Sequence, residues 1–120
     1  MDRKLELFDI MPYDAKIFIK SKFLKANVVD LEIVDNLFKV ELDNEISITF
    51  DEDGHWISIN SQKRLPEQVI PNVVKEKVHK LKRFEIEYKN ENLDINEIRK
   101  IINSYRVILD HYLEMHIYSN

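Results

Sequence analysis

The sequence predicts an α+β fold made of two tandem repeats, each a helix followed by an antiparallel sheet, with the helices packed on one face of the sheet. Residues 38–50 match residues 105–117 at an offset of 67, so that Val40 aligns with Val107. An internal repeat of this kind fixes the architecture before any single residue is interpreted. We therefore expect a single domain over residues 1–120, with repeat 1 at about 11–60 and repeat 2 at about 65–120.

The first repeat opens at Pro12, a residue suited to the first turn of a helix. Ala15, Ile19 and Phe23 follow at a spacing of four, which predicts an amphipathic helix over about 12–24. Apolar and polar residues then alternate in short runs, as they do in strands, separated by turn-forming pairs such as Asp53-Gly54. The predicted strands cover residues 28–34, 38–42, 46–50 and 55–59.

The second repeat opens at Leu65-Pro66, and its apolar residues recur every three or four positions as far as Tyr88. This spacing predicts a helix over about 66–89, in which Pro71 would separate a short first turn. Phe84, Ile86 and Tyr88 also alternate, so a strand there is the alternative. The later strands are predicted at residues 93–95, 98–101, 105–109 and 113–117.

Repeat 2 has no counterpart of the first repeat's strand 55–59. A sheet that stops one strand early leaves an edge with unpaired backbone groups, which another chain can extend. The sequence therefore allows a homodimer, or a bound peptide strand, at this edge.

Composition excludes several functional classes. The formal net charge of −4 argues against general nucleic-acid binding, and the absence of cysteine excludes disulfides and thiolate chemistry. A single glycine, Gly54, rules out the glycine-rich loops that hold phosphates. No apolar run approaches the roughly 20 residues that cross a membrane, so no membrane insertion is expected. Residues 1–6 lack the apolar core of a signal peptide, which leaves a cytoplasmic location open.

Several segments together resemble the PepSY-like, β-lactamase-inhibitor-protein-like (BLIP-like) domains of Bacteroidetes. The resemblance runs in order through Met11-Pro12 with Ala15 and Phe18, Val40 to Asn44, Ile48 to Trp56, and Leu65-Pro66. It implies an α+β fold of two helix-plus-sheet units in secreted or periplasmic proteins, described mostly as binding or inhibitory modules and in part as calcium-responsive. Two positions depart from the family's usual Asn-Gly turn, since Asn44-Glu45 and His111-Tyr112 stand there.

Asp51 and Asp53 are the candidate metal ligands, because carboxylates that lead into the turn at Gly54 offer the oxygen atoms that calcium prefers. The alternative is a solvated hairpin turn, since the segment lacks the distal bidentate glutamate of an EF-hand loop. No pair of histidines has the i, i+4 spacing of a helical zinc site. We therefore expect no cofactor, with a calcium ion at Asp51 and Asp53 as the alternative.

Catalytic motifs are missing from the sequence. No serine lies in a Gly-x-Ser-x-Gly elbow, and the many carboxylates have no spacing that singles out a general acid and base. The charge is distributed unevenly, because the second predicted helix is basic whereas the hairpin around residues 41–53 is acidic. Such an arrangement can steer a charged partner, or can simply keep a helix soluble.

Exposed aromatic residues suit a protein interface, since Trp and Tyr offer a large contact area at low entropic cost. Trp56 points to the opposite face of its strand from Ile57 and Ile59, which makes it the best candidate for an exposed aromatic on the sheet. The sequence therefore predicts a non-enzymatic module that binds a protein or peptide, with inhibition as one form of that role. The alternative is a calcium- or small-ligand-responsive periplasmic domain. The candidate binding residues are Trp56, Tyr112, His116 and Tyr118.

Overall fold

The computed structural model describes residues 8–118 and consists of two compact units that meet in sequence between Asn60 and Ser61. Within the described residues, none of the helices combines the length and the apolar character needed to span a bilayer. Helices and antiparallel strands occur in both units, which confirms the predicted α+β class.

From Tyr13 onward, the first unit contains an α-helix followed by four strands that lie side by side in chain order. Its elements are α1 (Tyr13–Lys22), β1 (Val28–Val34), β2 (Leu37–Leu42), β3 (Ile46–Phe50) and β4 (Trp56–Ser61). The strand predictions in this half are confirmed to within two residues.

Helix α1 forms where its apolar spacing predicts, directly after Pro12. Ala15 and Ile19 are buried on the helix, and the Phe18 ring lies edge-on to Phe50 of β3 with 5.8 Å between ring centroids. Burial of this stripe stabilises the helix, because a ten-residue helix is marginal in water without tertiary packing.

The second unit contains a longer α-helix, two short 3-10 helices and three strands in chain order. Its elements are the 3-10 turn Glu67–Val69, α2 (Asn72–Phe84), the 3-10 turn Ile86–Tyr88, β5 (Ile95–Ile101), β6 (Ser104–Leu109) and β7 (Leu113–Tyr118).

The helix predicted over 66–89 is shorter than expected, since it covers only Asn72–Phe84, and the alternative strand at 84–88 is wrong. The predicted separation of a short first turn at Pro71 is confirmed. Pro71 has no N–H and takes an extended conformation, so it caps α2 and separates it from the preceding 3-10 turn. Glu85 is also extended and ends α2 at its C-terminus. Residues 86–88 then form a 3-10 turn with no buried side chain.

The two strands predicted at 93–95 and 98–101 are in fact one strand, β5. A β-bulge between Ile95 and Glu97 inserts an extra residue, so that Ile95 and Ile98 face the same side despite their odd separation. The simple alternation that predicts a strand fails across such a bulge, and this explains the error.

The pairing registers of the two units are related by the same offset of 67 as the sequence match. Val28 pairs with Leu42 in the first unit, and Ile95 pairs with Leu109 in the second. The bulge lies at corresponding places, between Val28 and Asp30 and between Ile95 and Glu97. The β2–β3 and β6–β7 pairs obey the same offset, as Val40–Ile48 and Val107–Met115 show.

Each unit buries one face of its strands. In the second unit Ile98, Val107 and Leu109 are fully buried, and α2 contributes Val74 and Val78 to the same core. The other face of β5, β6 and β7 carries charged and polar side chains, and it includes two of the residues predicted to bind.

Candidate functional site

The exposed face of β5, β6 and β7, called here the outer face, is built by cross-strand pairing. Arg99 pairs with Arg106, which pairs with His116, and Ile101 pairs with Ser104, which pairs with Tyr118. These pairs bring side chains of three strands onto one surface, because residues directly opposite each other point the same way. The outer face comprises Glu97, Arg99, Ile101, Ser104, Arg106, Ile108, Glu114, His116 and Tyr118. Of these, Ser104 is buried, at 8% exposure, between Ile101 and Tyr118.

A charged network fixes the middle of the outer face. Arg106 Nε donates a hydrogen bond of 2.8 Å to Glu114 Oε1, and Arg106 Nη1 lies 3.7 Å from Glu97 Oε2. Glu114 Oε2 is 3.0 Å from His116 Nε2. The hydrogen bond with Glu114 raises the pKa of Arg106, and the hydrogen bonds with Arg106 and then His116 lower the pKa of Glu114. Both groups therefore stay charged and hold each other in place.

An apolar strip borders this network. Ile101 is 43% exposed and Tyr118 is 68% exposed, and Ile102 in the β5–β6 turn is 88% exposed. The exposed cation Arg99 lies between the network and the strip, and it forms no ion pair with any residue in the range 8–118. When a partner covers apolar side chains that lie beside an arginine, the burial contributes favourably to the free energy of binding.

The structure brings together only two of the four predicted binding residues. His116 and Tyr118 are both exposed and share the outer face. Tyr112 is also exposed but lies in the β6–β7 turn, where partial burial and the nearby Glu91 carboxylate raise the pKa of its hydroxyl.

Trp56 begins β4 in the first unit and is half-buried, so it is not the exposed sheet aromatic that alternation predicts. Ser58, which alternation places on the same side of the strand, is 8% exposed. Asn60, two residues further on the same side, is exposed, so this side of β4 is covered near Trp56 and Ser58 and open at Asn60. Alternation along one strand does not predict such a partial cover.

Asp51 and Asp53 lie together with His55, and their candidate ligand atoms are within 4.8 Å of one another. However, Asp51 Oδ1 already accepts hydrogen bonds from the backbone N–H groups of Asp53 and His55, each at 3.0 Å. Calcium requires six to eight oxygen ligands, whereas this group offers two carboxylates and an imidazole nitrogen. The donor set alone does not fit a calcium ion, and the contacts of Asp51 are those of a residue that shapes a turn.

The second unit also contains an open cavity of about 390 Å³ beside α2. Leu65, Val78 and Leu93 form an apolar wall, while Arg64 and His79 lie among the polar lining residues. Two hydrogen bonds hold residues 63–65 against β5, from Leu65 N–H to Ile95 O at 2.7 Å and from Asn96 Nδ2 to Lys63 O at 2.8 Å. These bonds hold the cavity wall at Leu65 in place against the sheet of the second unit.

Sequence reasoning missed Arg99, Arg106 and Ile101. Alternation within β6 and β7 could have placed Arg106 with His116, because these two strands pair in the same register as β2 and β3 at the offset of 67. Arg99 and Ile101 could not be placed in this way, since the bulge in β5 changes which residues face outward.

The alternation of buried and exposed strand positions, with a helix packed on the buried side, defines a class of α+β proteins whose sheet is open on one face. A comparison of the sequence with family models assigns the chain to a family within this class. A family model described as "Putative beta-lactamase-inhibitor-like, PepSY-like" matches residues 7–58 and again residues 36–120. The chain therefore belongs to the PepSY-like family, which confirms the resemblance noted from the sequence.

Three crystal structures from Bacteroides share the fold. A "putative calcium-regulated periplasmic protein" from Bacteroides thetaiotaomicron has a TM-score of 0.72 and 20% identity, over 91% of this chain and 84% of that one. A "putative periplasmic protein of unknown function" from Bacteroides vulgatus has a TM-score of 0.72 and 20% identity, over 92% of this chain and 86% of that one. A "putative periplasmic protein from DUF2874 family", also from Bacteroides vulgatus, has a TM-score of 0.68 and 22% identity, over 91% of this chain and 84% of that one.

At identities of 20–22% these likenesses establish a common fold. No curated protein sequence matches the chain.

Proposed function

We propose that this chain is a non-enzymatic module that binds a protein or peptide through its outer face, and that it works in the periplasm. The observation that supports this most strongly is the exposed pair Ile101 and Tyr118, which lies beside the fixed Arg106–Glu114 network. A partner that covers these two side chains would remove apolar surface from water without having to order the charged groups, which already hold one another.

The electrostatics of the outer face favour binding over catalysis. A general acid or base works best with a pKa near the working pH, which requires a carboxyl pKa to be raised. The pKa of Glu114 is instead lowered by Arg106 and His116. This network resembles a charged rim that orients a partner, where salt affects the association rate more than the final affinity.

The open edge beside the outer face offers a second means of contact. β7 ends the strand order of the described chain, so one side of its backbone is free to pair with an added strand. Glu114, His116 and Tyr118 point outward from this same strand. A peptide strand, or β7 of a second copy, could therefore pair with the edge while its side chains reach the outer face.

The family description supports inhibition as one form of the binding role, since it names a β-lactamase-inhibitor-like domain. The inhibitory role is tested by adding the purified chain to purified β-lactamases and measuring the hydrolysis of a chromogenic β-lactam. Loss of activity at stoichiometric amounts supports inhibition of this enzyme class. Unchanged rates with every enzyme tested would exclude inhibition of those β-lactamases and leave the binding role itself untouched.

Affinity capture with matched variants tests the binding role. The wild-type chain, an Ile101→Ser/Tyr118→Ser double variant and a Leu24→Ser control are immobilised and exposed to envelope fractions. Leu24 is 85% exposed in the first unit, so its replacement removes apolar surface away from the outer face. We expect one stoichiometric partner that the wild type and the control retain and the double variant loses. A partner held equally by all three chains, or no partner at all, would contradict the proposal.

A calcium-responsive role is the second candidate, favoured by the cluster of Asp51, Asp53 and His55 and by the description of one structural neighbour as calcium-regulated. Because the cluster supplies too few oxygen atoms, a partner or solvent would have to complete it. A ligand that binds the native state raises the melting temperature. A melting temperature that rises in millimolar calcium, and no longer rises in Asp53→Asn, supports this role. A melting temperature that calcium leaves unchanged excludes it.

We further propose that the two units are copies of one helix-plus-sheet repeat. The identical offset in the sequence match and in the strand pairing supports it, as does the bulge at corresponding positions. On this view the outer face is where the copies have diverged, because Arg99, Arg106 and His116 correspond to Glu32, Lys39 and Thr49.

A further inference from the structure

We infer that the C-terminal end of α2 and the turn after it form a docking surface for an anionic lipid bilayer, which places the chain peripherally on a membrane. We call this surface the α2 tip and define it by Lys77, Lys80, Arg83, Phe84 and Ile86. The inference is independent of the outer face and of the protein partner proposed above.

Two large apolar side chains are exposed side by side at the α2 tip. Phe84, the last residue of α2, is 67% exposed, and Ile86 in the following 3-10 turn is 89% exposed. The buried side of α2 is supplied by Val74 and Val78 instead. Phe84 and Ile86 therefore contribute little to the core, and their apolar surface is free to contact a membrane or another molecule.

Cations surround these two side chains. Lys77, Lys80 and Phe84 recur at spacings of three and four, so they follow one flank of the helix. The Arg83 guanidinium carbon lies 5.3 Å from the centroid of the Phe84 ring. Among residues 8–118, none forms an ion pair with Lys77, Lys80 or Arg83, and all three are exposed. Their charge is therefore not neutralised within the described part of the chain.

The sign of the charge selects an anionic surface. Residues 72–89 contain six basic and three acidic residues, the acidic ones being Glu76, Glu85 and Glu87, which gives a net charge of +3. The whole chain carries −4, so the remaining residues carry −7. An anionic bilayer attracts this segment and repels the net negative charge of the remaining residues, which makes the α2 tip the favoured point of contact.

The combination of the two features favours lipid over other anions. At a membrane surface, Lys and Arg side chains extend toward headgroup phosphates while neighbouring apolar side chains enter the acyl boundary. Phe84 and Ile86 beside Lys80 and Arg83 supply both parts within one turn of the helix end. Two apolar side chains bury little area, so the association should be weak, reversible and sensitive to salt.

Vesicle co-sedimentation of the full chain tests the inference. The probes are vesicles of phosphatidylglycerol and phosphatidylcholine in equal parts, and vesicles of phosphatidylcholine alone, both at low salt. We expect binding to the first kind only, reversed by added salt. Phe84→Ser/Ile86→Ser should bind about tenfold more weakly, since both apolar anchors are lost. Lys77→Gln/Lys80→Gln should also bind more weakly, whereas Leu24→Ser and Lys25→Gln should bind as the wild type does.

Three outcomes would overturn the inference. The first is a wild-type chain that does not sediment with phosphatidylglycerol vesicles at low salt. The second is full binding by Phe84→Ser/Ile86→Ser with an unchanged circular dichroism spectrum, because the contact would then be purely electrostatic. The third is binding to soluble polyglutamate, with the same dependence on Phe84 and Ile86, in the absence of vesicle binding. That result would make the α2 tip a docking surface for an acidic protein.

Discussion

The carboxylate of Asp110 holds the backbone of Leu93 in a left-handed conformation. Asp110 Oδ2 accepts the Leu93 N–H at 2.8 Å, and Leu93 has a φ of 55°. Asp110 Oδ1 accepts the Asp94 N–H at 2.8 Å, while the Asp110 N–H donates to Asp94 O at 2.8 Å. The start of β5 is therefore fastened to the turn that follows β6.

Replacing Asp110 with Ala should lower the free energy of unfolding by about 2 kcal/mol, since two hydrogen bonds to a carboxylate are lost and two part-buried N–H groups are left without an acceptor. Urea unfolding followed by circular dichroism measures this loss. Asp94→Ala is the matched control, because only backbone atoms of Asp94 take part in these bonds. A loss in Asp94→Ala as large as that in Asp110→Ala would refute the role assigned to the Asp110 carboxylate.

Asp43 in the first unit corresponds to Asp110 at the offset of 67. Its carboxylate accepts hydrogen bonds from the backbone N–H and the side-chain amide of Asn27, both at 3.0 Å. These bonds lower the pKa of Asp43 below its ordinary value near 3.8. The unfolded chain therefore binds a proton more readily, so the stabilisation is complete above that ordinary value and is lost as the pH falls through the folded-state pKa.

Asp43→Asn should accordingly reduce the difference in stability between pH values well above and well below 3.8. The measurement is the unfolding free energy of wild type and variant at both pH values. Asp35→Asn, at another exposed turn position, serves as the control and should keep the wild-type difference. An unchanged difference in Asp43→Asn would show that the hydrogen bonds from Asn27 do not favour the charged carboxylate.

Gly54 cannot carry a side chain without cost. Its φ is 88°, and an added Cβ would lie 2.8 Å from the Ala15 backbone nitrogen and 3.0 Å from Asp14 Cβ. Gly54→Ala should therefore lower the free energy of unfolding by about 2 kcal/mol through backbone strain and the clash with α1. Glu52→Ala, an exposed change in the same turn, should have little effect. Equal melting temperatures for Gly54→Ala and wild type would contradict the close approach.

The turn after β6 should be stabilised by a glycine. Asp110 and His111 have φ values of 50° and 66°, the two consecutive left-handed residues of a type I′ turn. His111→Gly should raise the free energy of unfolding by about 1 kcal/mol, because glycine adopts this conformation without strain. The His111 N–H, which donates to Asn96 Oδ1 at 2.7 Å, is retained. His111→Ala, which keeps Cβ, should show no gain; a gain in both variants would point to the imidazole instead.

Helix α1 and the strands of the first unit could be predicted because their apolar spacing coincides with burial. Ala15, Ile19 and Phe23 are 0%, 3% and 6% exposed, as their spacing implies. The end of α2 could not be predicted in this way. Phe84 and Ile86 continue the apolar spacing but are exposed, since spacing shows where apolar side chains lie and not whether anything covers them.

The candidate site was predictable only in part for a related reason. His116 and Tyr118 follow from alternation along β7, whereas their neighbours on the outer face depend on the cross-strand register. Arg99 and Ile101 lie beyond the bulge at Ile95, after which counting by twos from Leu93 assigns residues to the wrong face. A bulge is set by the paired backbone, and a single strand's sequence gives little sign of it.

Site-specific photo-crosslinking tests the central claim most directly, namely that the outer face is the binding surface. A photoreactive phenylalanine analogue replaces Tyr118 in one chain and Leu24 in another, and each chain is irradiated in the envelope fraction. Both positions are exposed, at 68% and 85%, so both can report a neighbour. The account predicts one defined adduct from position 118 and none from position 24. An adduct from position 24 alone would contradict it.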